Sequence, residues 1–394
     1  MTDSPFAARL SRMSESATAA VFRRVAELRA QGVELISLSV GEPDFDPPAH
    51  VGEAMKRAID AGLTRYTEVA GMAALRRAIA ADSLARRGFE HGPDSIVVSA
   101  GAKHALFNLA QALFDHGDEV IVPLPAWGTY AEQVRLCGAT PKLLPCRAED
   151  GFLLQPQALA EALGERTKAL ILCSPCNPTG AAYGRAELEA LAQVLRPHRA
   201  FVIIDEIYAG LTYDGFEQQS LLTVAPDLGD RIIIVDGVSK RYAMTGYRVG
   251  WLLASPAIAR ACEAIQSQCT TSITAPAQVA AQAALEGPQD AVEAMRAQFE
   301  RRRKRVLEGL TAIAGLRVQP PRGAFYAFVD VRELAARGPA FGDDLAIARH
   351  LLDKARVAVV PGSAFDAPGY LRLSFAASDA ELEQALERIG DALA

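Results

Sequence analysis

The chain has 394 residues, half of them hydrophobic and 22% charged, with a formal net charge of -6. That length holds two domains around sizeable cores, and the balance excludes a disordered chain. The acidic net charge excludes a general attraction to nucleic acid or to an acidic membrane surface. No apolar run approaches membrane-spanning length, and the opening MTDSPFAARLSRMSES lacks the apolar core of a secretory signal. A cytoplasmic protein is expected, without membrane or nucleic-acid partners.

The first 45 residues read as helix and then extended chain, ending in the turn-rich GEPDFDPP. They are too thin for a domain, and residues 1–48 are expected to pack beside the C-terminal part. From 95 to 255, short apolar runs alternate with helical patterns. The runs are SIVVSA (95–100), EVIVP (119–123), KALILCS (168–174), FVIIDE (201–206), RIIIVDG (231–237) and VGWLLAS (249–255). Several are continuously apolar, as strands buried on both faces should be. The pattern predicts an α/β body over 49–290, a mostly parallel sheet covered by helices. In 291–394 a long charged helix precedes GLRVQPPRGAFYAFVDV and VAVVPGSAFDAPGYLRLSFA, which predicts a smaller α+β domain. The one basic block, residues 301–305 (RRRKR), lies in the long helix and reads as a solvated face. Six scattered cysteines make no disulfide framework. Cys173 and Cys176 form a C-x-x-C without a second pair, and read as a strand end running into a loop.

Ligands in open α/β sheets bind beyond the carboxyl ends of the strands, and four runs deliver polar residues there. The first opens a helix at Ser99-Ala100-Gly101-Ala102-Lys103, where free N–H groups suit a phosphate. A lysine in that positive first turn is explained by a nearby anion or by simple solvation. FVIIDEIY delivers Asp205 and Tyr208. The same apolar-to-acid step occurs in nucleotide hydrolases, but the chain has no G-x-x-x-x-G-K-[S/T] loop. SPCNPTG (174–180) offers Asn177 in a proline-bounded turn. Lys240, one of seven lysines against thirty-four arginines, follows a buried strand and precedes Arg248. A lysine that forms a Schiff base must be placed and partly desolvated, and an arginine can hold a phosphate dianion. With a strand-end aspartate these meet the requirements of pyridoxal phosphate.

The ordered set GEPDFD, GAKHALFN, NPTG, DEIY, SKRYAMTGYRVG and GYLRLSFA resembles the class I aminotransferases of the fold-type I pyridoxal-phosphate enzymes, specifically the bacterial-type aspartate aminotransferases. The resemblance runs from about residue 14 to the C-terminus. It implies that Lys240 forms the Schiff base and then shuttles the substrate proton, while Asp205 pairs with the pyridinium nitrogen. Tyr208 and Asn177 are implied at the phenolic oxygen, Trp127 on the ring, and Gly101, Ala102, Lys103 and Arg248 at the phosphate. Tyr66 is implied to reach the phosphate from a second subunit, making a homodimer. Arg372 is implied to grip the substrate α-carboxylate, assisted by Asn177 and Gly41. The alternation in GYLRLSFA permits this, placing Arg372 opposite the apolar Leu371 and Leu373.

The implied reaction is ping-pong transfer of an amino group from an L-amino acid, aspartate foremost, to 2-oxoglutarate. In the resembling enzymes Lys103, Ser16 and Thr18 are associated with a second substrate carboxylate. Several positions depart from the family pattern: Ala126, Gly128, Thr129, Cys176, Gly237 and Tyr247. Lost bulk at Ala126 and Gly128 is expected to widen the pocket. That leaves aromatic or other larger amino acids, prephenate, or C–S lyase chemistry as alternatives. A transcription-regulator sensor is disfavoured, since only about 45 residues precede the core. No metal is expected.

Overall fold

The computed structural model describes residues 5–14, 17–338 and 341–394, with residues 17–20 as backbone alone. All six predicted runs are strands of one seven-stranded sheet. Its order is Ile96–Ser99, Gly250–Leu253, Ile232–Gly237, Phe201–Asp205, Thr167–Cys173, Glu119–Leu124 and Thr140–Pro145. Gly250–Leu253 runs antiparallel to both neighbours, and the other pairings are parallel. The runs are continuously apolar because each face has its own core. Ile171, Ile203, Ile233 and Val235 pack on one side. Leu170, Leu172, Val202, Ile204 and Ile234 pack on the other. The seventh strand, Thr140–Pro145, carries no apolar run and was not foreseen. It is half-buried at the sheet edge, the position where its two prolines forfeit least of the ladder.

Helices Ala102–Leu113, Arg185–Leu195 and Pro256–Ser267 are among those that cover the sheet. In the C-terminal part a four-stranded antiparallel sheet has the order Val360–Pro361, Tyr370–Ser374, Tyr326–Asp330, Arg317–Val318. The 22-residue helix Asp290–Thr311 packs against it. The N-terminal segment reaches the same region, pairing Ile36–Ser37 in parallel with Val357–Ala358. No helix among the described residues is long and apolar enough to cross a membrane.

The basic block is a solvated face only in part: Arg301, Lys304 and Arg305 are exposed, but the other two turn inward. Arg302 and Arg303 are buried. Arg302 reaches Asp44 at 2.7 Å and Asp379 at 3.3 Å, and Arg303 reaches Asp214 at 2.7 Å and the Pro321 carbonyl at 2.7 Å. The run is too rich in charge for periodicity to reveal an inner side, yet the helix lies where distant carboxylates converge. Beside them the fully buried Phe299 ring meets Phe45 at 5.2 Å, Phe325 at 5.4 Å and Phe375 at 6.3 Å, tying the N-terminal segment to the C-terminal sheet. Phe299→Ala should therefore cost about 3–5 kcal/mol, read as a lower urea midpoint at unchanged slope. A loss below about 1 kcal/mol would show that this cluster does not join the two segments.

Candidate active site

A cavity of about 490 Å³ opens at the carboxyl ends of the central strands. Of the residues singled out in the sequence, Gly41, Ala102, Lys103, Trp127, Asn177, Asp205, Tyr208, Lys240, Arg248 and Arg372 line it. Trp127, Asn177, Asp205 and Lys240 converge because parallel strands deliver their last residues to one edge of the sheet, and Gly41 and Arg372 reach them from the N-terminal segment and the C-terminal sheet.

Asp205 ends the strand Phe201–Asp205 and is 1% exposed. Its Oδ2 accepts from the Tyr130 hydroxyl at 2.8 Å and its Oδ1 from the Ile207 N–H at 3.0 Å. Burial pushes its carboxyl up to about 6 against those two stabilising donors, with Asp236 adding to the rise. It therefore stays mostly ionised at neutral pH. Lys240 follows Ile232–Gly237 in an irregular turn. Its Nζ donates to the Gly41 carbonyl at 2.7 Å. Burial pulls its ammonium down to about 8, opposed by Glu42 and Asp205 and assisted by Arg248 and Arg372. A buried acid and a buried amine thus sit in one cavity, each displaced toward its neutral form.

Arg372 lies on Tyr370–Ser374 at 2% exposure, in register with Phe328 and Val360. The alternation read from sequence holds, but the side opposite Leu371 and Leu373 faces this cavity and not solvent. Its guanidinium donates to Asn177 Oδ1 at 2.8 Å and to the Ser39 carbonyl at 2.7 Å. It lies over Tyr326 at 4.4 Å and Phe365 at 5.0 Å, and its Nε has no partner among the described residues. Among the described residues no carboxylate pairs with it. Burial pushes its pKa below the usual arginine value. A planar cation with free donors, dry and uncompensated, is a receptor for a carboxylate.

At the other pole Gly101, at φ 86°, precedes the helix Ala102–Leu113. A Cβ there would lie 2.5 Å from Arg248 Nη2, and one on Gly250 would lie 2.3 Å from the Ala102 nitrogen. The two glycines thus let the exposed Arg248 and the first helical N–H groups crowd around one point, a cradle for an anion. Among the described residues Arg248 itself bonds only carbonyls, of Thr245 at 2.7 Å and Ala100 at 3.3 Å. Lys103 Nζ lies 4.6 Å from the Trp127 ring centroid. Burial and Arg248 lower its pKa.

Tyr208 is buried, and its hydroxyl shares a 2.8 Å hydrogen bond with that of Tyr326. Burial raises its pKa well above the ordinary value. One expected position does not line this cavity, one was expected to serve a second subunit's site, and two fall outside what is described. Gly101 lies just behind Arg248, Tyr66 is 87% exposed, Ser16 lies outside the described residues, and the side chain of Thr18 does too. Ala126 and Gly128 do not widen the cavity. Ala126 is buried in a separate cleft with Tyr130, Cys173 and Cys176, and the Gly128 Cβ position faces the Ala364 carbonyl at 3.8 Å. Gly237 has no room for a side chain, with Gly250 Cα and the Val249 carbonyl both 2.9 Å from its Cβ position.

Sequence reading missed Phe22, Tyr130, Ile207, Ser239 and Tyr326, which also line the cavity. Tyr130 was the findable one, one helical turn beyond the Trp127 already noted. Tyr326 carried no signal beyond an aromatic in an apolar strand.

The class I and II aminotransferase model matches residues 33–389. The chain belongs to that family. It is 42% identical to the aspartate aminotransferase of Geobacillus stearothermophilus over 97% of both chains. It is 41% identical to a probable aspartate/prephenate aminotransferase of Aquifex aeolicus over 98% of both. The structure of the Thermus thermophilus aspartate aminotransferase with maleate superimposes with a TM-score of 0.93 at 42% identity, covering 99% of this chain and 100% of that one. The protein is thus a transaminase with the fold expected from its sequence, a large mixed sheet covered by helices and a smaller α+β part.

For this aminotransferase the lowered ammonium of Lys240 makes a direct prediction. At pH 8 roughly half of an amine with that pKa is uncharged, against about one part in three hundred for an ordinary lysine. A short pulse of acetic anhydride at pH 8 on the ligand-free protein, mapped by mass spectrometry, should label Lys240 at least about tenfold faster than Lys56. Lys56 is exposed and paired with Glu53 at 2.8 Å, which raises its pKa. Equal rates would show that Lys240 is not poised as an amine.

Proposed function

We propose that the cavity holds pyridoxal 5′-phosphate and that the enzyme moves the amino group of L-aspartate to 2-oxoglutarate by a ping-pong mechanism. The observation that carries the reading is the buried Arg372 without a carboxylate partner, in one cavity with the poised amine of Lys240 and the buried carboxylate of Asp205. The residues fit the cofactor: Lys240 for its aldehyde, ionised Asp205 for its ring nitrogen, and the Gly101–Ala102 cradle with Arg248 for its phosphate. When bound, pyridoxal phosphate supplies an electron sink for the bond to the substrate Cα–H.

The chain's own groups do the remainder. Asp205, kept anionic by Tyr130 and the Ile207 N–H, holds a proton on the ring nitrogen. Trp127 offers a ring face and Tyr208 a hydroxyl. Arg372 and Asn177 orient the α-carboxylate, with the backbone at Gly41 beside them. Lys240, uncharged in a useful fraction near neutral pH, takes the Cα proton and returns it. Lys103 supplies a cation for a second carboxylate, and Ser16 and Thr18 are assigned to the same end. The dicarboxylate reading is supported by the names of the relatives and by the maleate complex of the Thermus enzyme. Prephenate also carries two carboxylates, and the name of the Aquifex relative favours it as a further acceptor.

We assign a homodimer in which Tyr66, an aromatic side chain 87% exposed on one chain, reaches the phosphate of the neighbouring site. We also assign residues 49–290 to a cofactor-binding body, and 1–48 with 291–394 to a smaller part that carries Arg372.

L-Aspartate alone should convert the visible absorption of the purified protein to a near-ultraviolet band, and 2-oxoglutarate should restore it. A spectrum that aspartate leaves unchanged would sink the dicarboxylate assignment, and pyruvate and ammonia released from an S-substituted cysteine without any acceptor would indicate a C–S lyase. Tyr66→Phe should weaken retention of the cofactor about tenfold, roughly one charge-assisted hydrogen bond, on dilution or dialysis. Retention equal to the parent would remove Tyr66 from the site.

A further inference from the structure

Asp205 faces the cavity, while Glu206, the residue just past the end of that strand, is buried against Arg87 instead. Asp205 pairs in register with Val235. Asp236, the next residue, is also buried. Glu206 and Asp236 meet the end of helix Ala73–Arg87. Arg87 Nε donates to Glu206 at 2.7 Å, and its Nη2 donates to Asp236. Arg86 bridges Asp236 at 2.7 Å and Asp82 at 2.6 Å, and Arg241 reaches Asp82 at 2.8 Å. The Arg87, Glu206 and Asp236 side chains are only 3–5% exposed.

The cluster holds three guanidiniums, Arg86, Arg87 and Arg241, against three carboxylates, Asp82, Glu206 and Asp236, and is electrically balanced. It grips the chain at three points next to the site. Glu206 adjoins Asp205, Asp236 is the last residue but one of the strand that leads to Lys240, and Arg241 adjoins Lys240.

We propose that Arg87 is a positioning residue for the cofactor, pairing Glu206 and Asp236 so that both strand tips stay in place and no bare negative charge stands behind Asp205. The inference rests on the pyridoxal-phosphate reading above. Its reason is a matter of margins. Asp205 ionises at about 6 and Asp236 already pushes it upward, leaving roughly one pH unit before neutrality. Removing one partner of a buried pair leaves an uncompensated charge, here beside a low-dielectric carboxylate. The other groups that act on Asp205 are Tyr130, the Ile207 N–H, the Cys173 and Cys176 thiols and Lys240. None of them belongs to the cluster, so they remain when Arg87 is changed.

The test uses full-length apoprotein titrated with pyridoxal phosphate between pH 6 and 8.5, with folding followed by circular dichroism. Arg87→Gln should weaken affinity about tenfold at pH 7 and much less at pH 8.5, moving the acid limb of binding up by about one unit. Adding Asp236→Asn to that variant should restore affinity, because it restores charge balance. A purely structural Arg87 would instead make the double variant worse.

Asp236→Asn alone leaves Arg86 and Arg87 one carboxylate each and should move the acid limb downward, which serves if Arg87→Gln does not fold. Affinity unchanged in Arg87→Gln, a double variant weaker than the single, or an unmoved limb in Asp236→Asn would each overturn the proposal. A parent apoprotein that binds no pyridoxal phosphate would overturn the cofactor reading as well.

Discussion

Three separate lengths of chain meet at the guanidinium of Arg372. The arginine stands on the C-terminal sheet, Asn177 comes from the turn after a strand of the large sheet, and Ser39 belongs to the N-terminal segment. A buried ion without an opposite charge is among the costlier groups a fold can contain. It persists because two acceptors and two aromatic faces are arranged around it, and because Phe299 and Arg302 bind the same N-terminal and C-terminal segments together nearby. The cost is recovered only when an anion enters, which makes the site's weakest feature for stability its strongest for recognition.

Burial works in two directions in the same cavity. It raises the Asp205 carboxyl to about 6 and lowers the Lys240 ammonium to about 8. One acid and one base titrate on either side of neutrality, so between those values the anionic carboxylate coexists with a useful fraction of free amine. Neither group would be so placed in water. Neighbours then trim each shift: Tyr130 and the Ile207 N–H restrain Asp205 by donating to it, and the charge of Glu42 restrains Lys240. Behind them Arg86 and Arg87 pair with Asp236, and Arg87 with Glu206, while Asp236 still adds to the rise at Asp205.

Much of this was legible in the amino-acid order. Continuous apolar runs marked six strands because a sheet covered on both faces needs no alternation. The polar residues closing those runs marked the site because parallel strands expose their carboxyl ends together. The edge strand Thr140–Pro145 was not legible, since a half-buried edge carries neither an apolar run nor a clean alternation. Nor was the burial of Arg302 and Arg303, whose partners Asp44, Asp379 and Asp214 are distant in sequence. Ala126 and Gly128 sit beside Trp127 in the chain, yet their missing bulk does not open the cavity. Adjacent residues at a turn face different sides, and only coordinates tell which.

What the sequence by itself determined is the chemistry: which strands exist, which polar residues terminate them, and that a lysine, an aspartate and two arginines stand at the right places in the chain. Each depends on local pattern, since hydrophobic period and turn residues act within a few positions. Tertiary structure decided the environment. It made Arg372 dry, turned Lys240 toward the Gly41 carbonyl, paired Tyr208 with Tyr326, and set Arg87 behind Asp205. Charge states and solvent exclusion are sums over neighbours drawn from the whole chain, and no local window contains that sum.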